Sequence, residues 1–335
     1  ALLCMRVAIQ SLRSHILPRT RRTRSTHSRT LAMASSESEP YRVRELVFVE
    51  HRIEVPLDHN APEGSKITVF AREAVAPGQF KKRKELPALL YLQGGPGFEA
   101  GRLAAAGGWV KTAAESFRVF LLDQRGTGQS SAVTARSLER LGSAEAQAEH
   151  LALFRADSIV KDANLLLAAV QPTEGKWTLL GQSFGGFCSL TYLSLFPESL
   201  REVLITGGLA PCVDQASPAE AIYRKLFERV DAQNAKFYKR FPQNVERVRA
   251  IVRHLLDTGG VPLPSGGLLT AQGFQSLGIM FGGLGGMESM HFLIEKAWDG
   301  PELSRAFLRG VENSSSFDTN PLYALLHEPI YASGG

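Results

Sequence analysis

Trp177-Thr178-Leu179-Leu180-Gly181-Gln182-Ser183-Phe184-Gly185-Gly186-Phe187 decides how this chain is read. An apolar strand runs into a G-x-S-x-G turn and then into a helix, where Phe187, Leu190, Leu193 and Leu195 supply apolar character until Pro197 stops it. A serine forced into a sharp strand-to-helix turn projects its hydroxyl outward, and its neighbours must be small for the backbone to fold; Gly181 and Gly185 fill those places. Ser183 then stands at a helix N-terminus. There the amide of Phe184 and the helix dipole favour the oxyanion that forms when a hydroxyl attacks a carbonyl. The bland alternative is a glycine-tolerant turn with an incidental serine.

Two upstream stretches weigh against that alternative. Leu86-Pro87-Ala88-Leu89-Leu90-Tyr91-Leu92 empties into Gln93-Gly94-Gly95-Pro96-Gly97, a central strand followed by a loop of exposed amides, as an oxyanion hole requires. Arg118-Val119-Phe120-Leu121-Leu122 ends in Asp123-Gln124-Arg125-Gly126-Thr127-Gly128-Gln129-Ser130. In order and spacing the three motifs resemble the proline iminopeptidase family of α/β-hydrolases, over residues 43 to 335. The resemblance implies an α/β fold, a doubly wound and mostly parallel α/β-hydrolase sheet with a helical cap. It also implies Ser183 as nucleophile and Phe184 with Gly94 or Gly95 as oxyanion donors. A cap carboxylate would neutralise the substrate's free amine; Glu288, after the bend at Gly285-Gly286, is the candidate, and a solvent-facing glutamate is the plain alternative. His327-Glu328-Pro329-Ile330-Tyr331 resembles part of the same cap. One residue departs from the pattern: Gln93 stands where the family usually has histidine, which bears on the support of the loop and not on the Gly94 and Gly95 amides.

The implied activity is release of N-terminal residues, preferentially proline, from small peptides through an acyl-enzyme. It needs no cofactor and no metal, and its partner is a small peptide. Other α/β-hydrolase chemistry (esterase or amidase) and a non-catalytic hydrolase-fold protein stand as alternatives. A dinucleotide-binding reading of Gly95-Pro96-Gly97-Phe98-Glu99-Ala100, with Asp123 as the ribose acid, is rejected because Pro96 removes an amide where phosphate binding needs donors.

Among the 335 residues, 44% are hydrophobic, enough for a large core, and no apolar run approaches the ~20 residues of a membrane span. The net charge of +5 is local. Residues 1 to 36 hold seven arginines and no Asp, Glu or Lys, and the remainder has 31 basic against 33 acidic residues. A nucleic-acid role is therefore not implied, and Lys81-Lys82-Arg83-Lys84 reads as a solvated loop before a buried strand. The leader, 1–36, is rich in Ser, Thr and Arg and suits a plastid or mitochondrial transit peptide; a basic tail, with a cytoplasmic form starting at Met33, is the other reading. Cys4, Cys188 and Cys212 fit neither a disulfide framework nor a zinc site.

Residues 37–210 alternate strands and helices, beginning with an antiparallel hairpin and including a helix that Asp157 is expected to cap and Pro172 to end. Residues 211–335 change to helices, with a capping box at Ser217-Pro218-Ala219-Glu220 and a loop over 259–267, and are expected to form the cap. Triads on this fold run in the order Ser, acid, His. After Ser183 the histidines are His254, His291 and His327, all in the helical region, and Asp214 is the acid nearest the strand ending at Thr206. The second half of the sheet, with the acid and the base, is expected to lie past Gly335. The 335-residue chain alone is then expected to be a poor peptidase with a bare sheet edge.

Overall fold

The apolar runs on either side of the elbow and upstream of it become adjacent strands of one sheet in a computed structural model, which describes residues 4–7, 34–171, 175–210, 218–314 and 319–331. The chain divides into two units, Ala1–Ala216 with Thr319–Gly335, and Ser217–Asp318. In chain order the first unit contains β1 (Cys4–Val7), β2 (Ser35–Glu37), β3 (Tyr41–Val43), β4 (Leu46–Pro56), β5 (Lys66–Val75), β6 (Ala88–Leu92), α1 (Gly108–Ala113) and β7 (Arg118–Asp123). After these come α2 (Ala135–Glu139), α3 (Ala144–Ala152), α4 (Ala156–Val170), β8 (Trp177–Gln182), α5 (Phe184–Leu195) and β9 (Leu200–Thr206).

The strand order is β1-β9-β8-β6-β7-β5-β4-β2, with β3 also on β4. β7, β6, β8 and β9 pair in parallel, while β4 and β5 form the expected antiparallel entry hairpin. From β6 the chain first moves to one side, to β7, and then crosses back to β8 on the other. Loops leaving β6 and β8 thus diverge at the carboxyl ends of the strands, the place where an open α/β sheet forms its crevice.

The central strands are buried on both faces, which is why they read as continuous apolar runs and not as alternation. Helix α4 lays Ile159, Ala163, Leu166 and Leu167 on one side of the sheet core, and α5 adds Cys188 and Tyr192. Each fully buried Leu or Ile contributes roughly 1.5–3 kcal/mol relative to exposure. The α4 boundary differs from expectation by one step. Arg155, in an extended conformation, is the N-cap, and Asp157 sits inside the first turn, paired with Lys161 at 3.2 Å. A first-turn acid is favoured by the dipole wherever the cap itself falls. Pro172, expected to end α4, lies outside the described residues.

Two further differences concern the sheet's edge and the chain's last residues. The outer edge of β9, expected to be bare, is paired antiparallel with β1, from Cys4↔Thr206 to Val7↔Val203. An edge strand's unpaired amides and carbonyls are a template for any extended segment within reach. The remainder of the leader, 1–3 and 8–33, lies outside the described residues. Residues 319–331, read from sequence as part of the helical region, group with the first unit. There α11 (Pro321–Leu326) places Leu322 and Leu326, one turn apart, in a cluster with Val133, Leu138 and Phe154.

The second unit has its own core, in which Phe237, Ile251, Leu255, Phe274, Ile294 and Phe307 are buried. Helices α6 (Pro218–Arg240), α7 (Asn244–Asp257), α8 (Ala271–Ser276), α9 (Gly286–Glu295) and α10 (Arg305–Asn313) build it. The 259–267 stretch is the turn of a small hairpin, Val261–Pro262 with Leu268–Leu269, and not a plain loop. Ser217 of the expected capping box and Asp214 lie outside the described residues.

Candidate active site

The elbow is set by backbone sterics. Ser183 has φ 54° and ψ −120°, a conformation that costs a non-glycine residue of order 1–3 kcal/mol and persists only when its surroundings over-determine it. Those surroundings are visible. The Ser183 amide donates to Thr206 O at 3.0 Å, and the Gly186 amide donates to Ser183 O at 2.8 Å. A Cβ at Gly185 would lie 1.9 Å from Leu92 O, so only glycine lets the start of α5 press against the end of β6. A Cβ at Gly94 would lie 2.8 Å from the Ser183 Cβ, which places the Gly94 loop directly beside the serine.

Four expected residues, Ser183, Phe184, Gly94 and Gly95, are thereby brought together. Ser183 is half-buried and its side chain makes no capping hydrogen bond. Phe184 opens α5, so its amide is one of the helix's four without an intrahelical acceptor. Gln93, at the position of the departure from the family pattern, accepts from the Tyr91 hydroxyl at 3.0 Å through its side chain. Its backbone carbonyl accepts from Gln124 Nε2 at 3.0 Å.

That second bond comes from the turn after β7, which braces the loop. Asp123 is fully buried and its carboxylate accepts from both Arg102 Nη atoms (3.0 and 2.6 Å) and from the amides of Ala100 (3.2 Å) and Gln129 (2.8 Å). Arg125, 1% exposed, donates to both oxygens of Asp162 at 2.7 Å and to the carbonyls of Pro56, Leu57 and Leu153. His59 Nε2 lies 2.8 Å from Asp162 and 3.0 Å from Arg125 Nη2. These charges are consumed internally, and Asp123 has no lone pair left for a ribose.

The sequence reading missed a line of rings beside the elbow. Phe98, in the loop after β6, packs on Tyr323 at 5.1 Å between centroids, Tyr323 on His327 at 5.1 Å, and His327 on Tyr331 at 5.8 Å. Tyr331 then meets Phe187 at 5.7 Å, and Phe187 meets Phe184 at 6.3 Å. Burial raises the hydroxyl pKa values of Tyr323 and Tyr331 and lowers that of the His327 imidazole, so all three are neutral at neutral pH. The aromatic spacing in 323–331 was the available signal.

Glu288 is in the second unit, in the first turn of α9, with its carboxylate 2.7 Å from Arg240. His291 stacks on Phe241 at 4.3 Å and bonds Asn244, and His254 packs edge-on to Trp298. No histidine among the described residues is hydrogen-bonded to the Ser183 hydroxyl. The described residues also hold no cluster that could bind a metal ion and no helix long and apolar enough to cross a membrane.

A sheet with four parallel central strands, whose β8 turns through a strained serine into α5 beside a glycine loop after β6, is the architecture of an α/β-hydrolase, and the alpha/beta hydrolase fold family matches residues 87–253. The fold class of the chain is thus that of the α/β-hydrolases. Within it, the chain is a homologue of proline iminopeptidases: it is 47% identical over 285 residues to the proline iminopeptidase of Aeromonas sobria, covering 85% of this chain and 65% of that protein. It is 38% identical over 294 residues to the proline iminopeptidase aneH of Aspergillus aculeatus, covering 85% and 64%. The chain thus spans just under two thirds of the length of these relatives.

Proposed function

We propose that the protein is a serine aminopeptidase that releases N-terminal residues, preferentially proline, from small peptides through an acyl-enzyme. The observation that carries the reading is the Ser183 elbow: a strained residue whose hydroxyl makes no capping bond, next to the Gly94 loop and the Phe184 amide, which has no intrahelical acceptor. Ser183 Oγ attacks the carbonyl carbon of the N-terminal residue, and the oxygen that becomes negative is held by the Phe184 amide and by Gly94 or Gly95. Each such donor is worth roughly 3 kcal/mol in the transition state. Collapse breaks the peptide bond, the protonated amine of the shortened peptide departs, and water releases the acyl group. The serine proton passes to a general base, a role assigned to no described histidine.

Two features support proline. The homologues are proline iminopeptidases. The neutral rings of Phe98, Tyr323, His327, Tyr331 and Phe187 also offer an apolar surface next to the elbow, suited to a pyrrolidine ring and unfavourable to a charged side chain. The test pairs a fluorophosphonate probe with proline and alanine p-nitroanilides. In a form that spans the full length of the homologues, Ser183-dependent labelling with faster prolyl turnover is expected. Labelling without prolyl turnover would move the protein to another hydrolase class, and labelling at a different serine would end the reading.

A further inference from the structure

At the end of the sheet opposite Ser183 there is a cavity of about 870 Å³. It gathers the residues that begin the parallel strands. Arg118 opens β7, Lys176 directly precedes β8, and Arg201 is the second residue of β9, while Lys84 reaches it from a 3-10 turn at Pro77–Glu85. Arg201 occupies a particular position. The β8–β9 register steps from Trp177↔Leu200 to Thr178↔Glu202, leaving Arg201 as the extra, unpaired residue of a bulge, a device that re-aims a side chain.

The charges there divide into spent and unspent. Arg118, 2% exposed, gives Nε and Nη2 to Glu73 at 2.9 and 3.0 Å and Nη1 to Val170 O at 3.3 Å, tempering the negative end of α4. His51 meets the same Glu73 at 2.8 Å, and Arg83 pairs with Glu37. Lys84, Lys176 and Arg201 have no ion-pair partner among the described residues, and of the acids lining the cavity only Glu85 is likewise unpaired among them. Three free cations therefore face one free carboxylate. Ile53, Leu86, Pro87 and Val170 add an apolar wall.

We propose that this cavity binds a phosphate-bearing small organic molecule, its charged group drawn to Lys176 and Arg201 and its body resting on the apolar wall. The volume lies in the range of small-molecule sites, roughly 300–1,000 Å³, and far exceeds what an inorganic phosphate fills. Strand β8 separates the cavity from Ser183 by about 20 Å, so the site is distinct from the elbow and independent of its chemistry.

The test uses the 335-residue chain with ADP, pyrophosphate and adenosine as probes, read by calorimetry and by the shift in melting temperature. ADP is expected to bind and to raise the melting temperature, more strongly at low salt, while adenosine does neither. The double variant Lys176→Gln/Arg201→Gln should weaken ADP by about tenfold or more, with the unliganded melting temperature and far-ultraviolet spectrum unchanged. Absence of ADP binding, or binding that the double variant leaves intact, overturns the site. Pyrophosphate binding as tightly as ADP overturns the organic class and leaves an inorganic anion site.

Discussion

The turns that leave the two strands flanking β6 are built on opposite plans. After β7, Asp123 and Arg125 are buried and every charge is met: four donors on one carboxylate, a guanidinium shared by Asp162 and three carbonyls. After β8, the polar group is a lone hydroxyl at a strained backbone with no cap to satisfy, and the neighbouring positions carry glycine so that nothing crowds it. A turn that holds structure saturates its polar groups, because an unmet buried charge is costly. A turn that does chemistry leaves one group unspent and invests strain to aim it. The saturated turn also serves the other one, since Gln124 fastens Gln93 and thereby the loop beside Ser183.

The sharpest way to break this comparison is at the hydroxyl. In a form that spans the full length of the homologues, Ser183→Ala should abolish fluorophosphonate labelling and lower prolyl turnover on the order of a millionfold, with the melting temperature unchanged because alanine is strained like serine at φ 54° and no bonded partner is lost. Retained turnover would show that the unspent group is incidental.

On the saturated side the expected loss is stability. Arg125→Met takes the guanidinium from the buried Asp162 carboxylate, leaving it His59, and should cost about 3–5 kcal/mol in denaturant unfolding, while protein that remains folded still labels at Ser183. A loss under about 1 kcal/mol would mean that the network is decoration.

The same saturated plan recurs at Glu73, which extends the comparison to pH. Burial alone would raise its carboxyl pKa, but hydrogen bonds from His51 and Arg118, with the Arg118 charge, lower it from 4.5 to about 2. A depressed acid contributes stability that is complete above its unfolded value and disappears as pH falls through the folded one. Stability should therefore fall by on the order of 3 kcal/mol between about pH 5 and pH 2, a slope that Glu73→Gln flattens in acid-unfolding curves.

The smallest effect belongs to Gln93. Among the described residues its side chain bonds only Tyr91, and the neighbouring Gly94 and Gly95 amides come from the backbone. Gln93→His should thus change kcat/KM on the prolyl substrate by less than about tenfold, roughly 1 kcal/mol. A larger change would make the side chain, and not the turn after β7, the main support of the loop.

Much of the site was legible in contiguous residues. Trp177 to Phe187 carry strand period, glycine spacing and helix start within eleven positions, and the elbow follows from steric limits on φ and ψ that act over one or two residues. The apolar runs ending at Leu92 and Leu122 likewise announce buried parallel strands, and their order implies the crossovers. What only the tertiary structure decided is which polar and apolar groups meet. Asp123 looked available until Arg102 closed on it, Arg125 found Asp162 37 positions away, and Glu288 found Arg240 on another helix. Leu322 and Leu326 sent α11 back to the first unit, carrying Tyr323, His327 and Tyr331 into line with Phe98 and Phe187. Torsional limits and apolar period belong to neighbours along the chain, whereas a charge's partner and a ring's packing depend on segments that approach only once the sheet has formed.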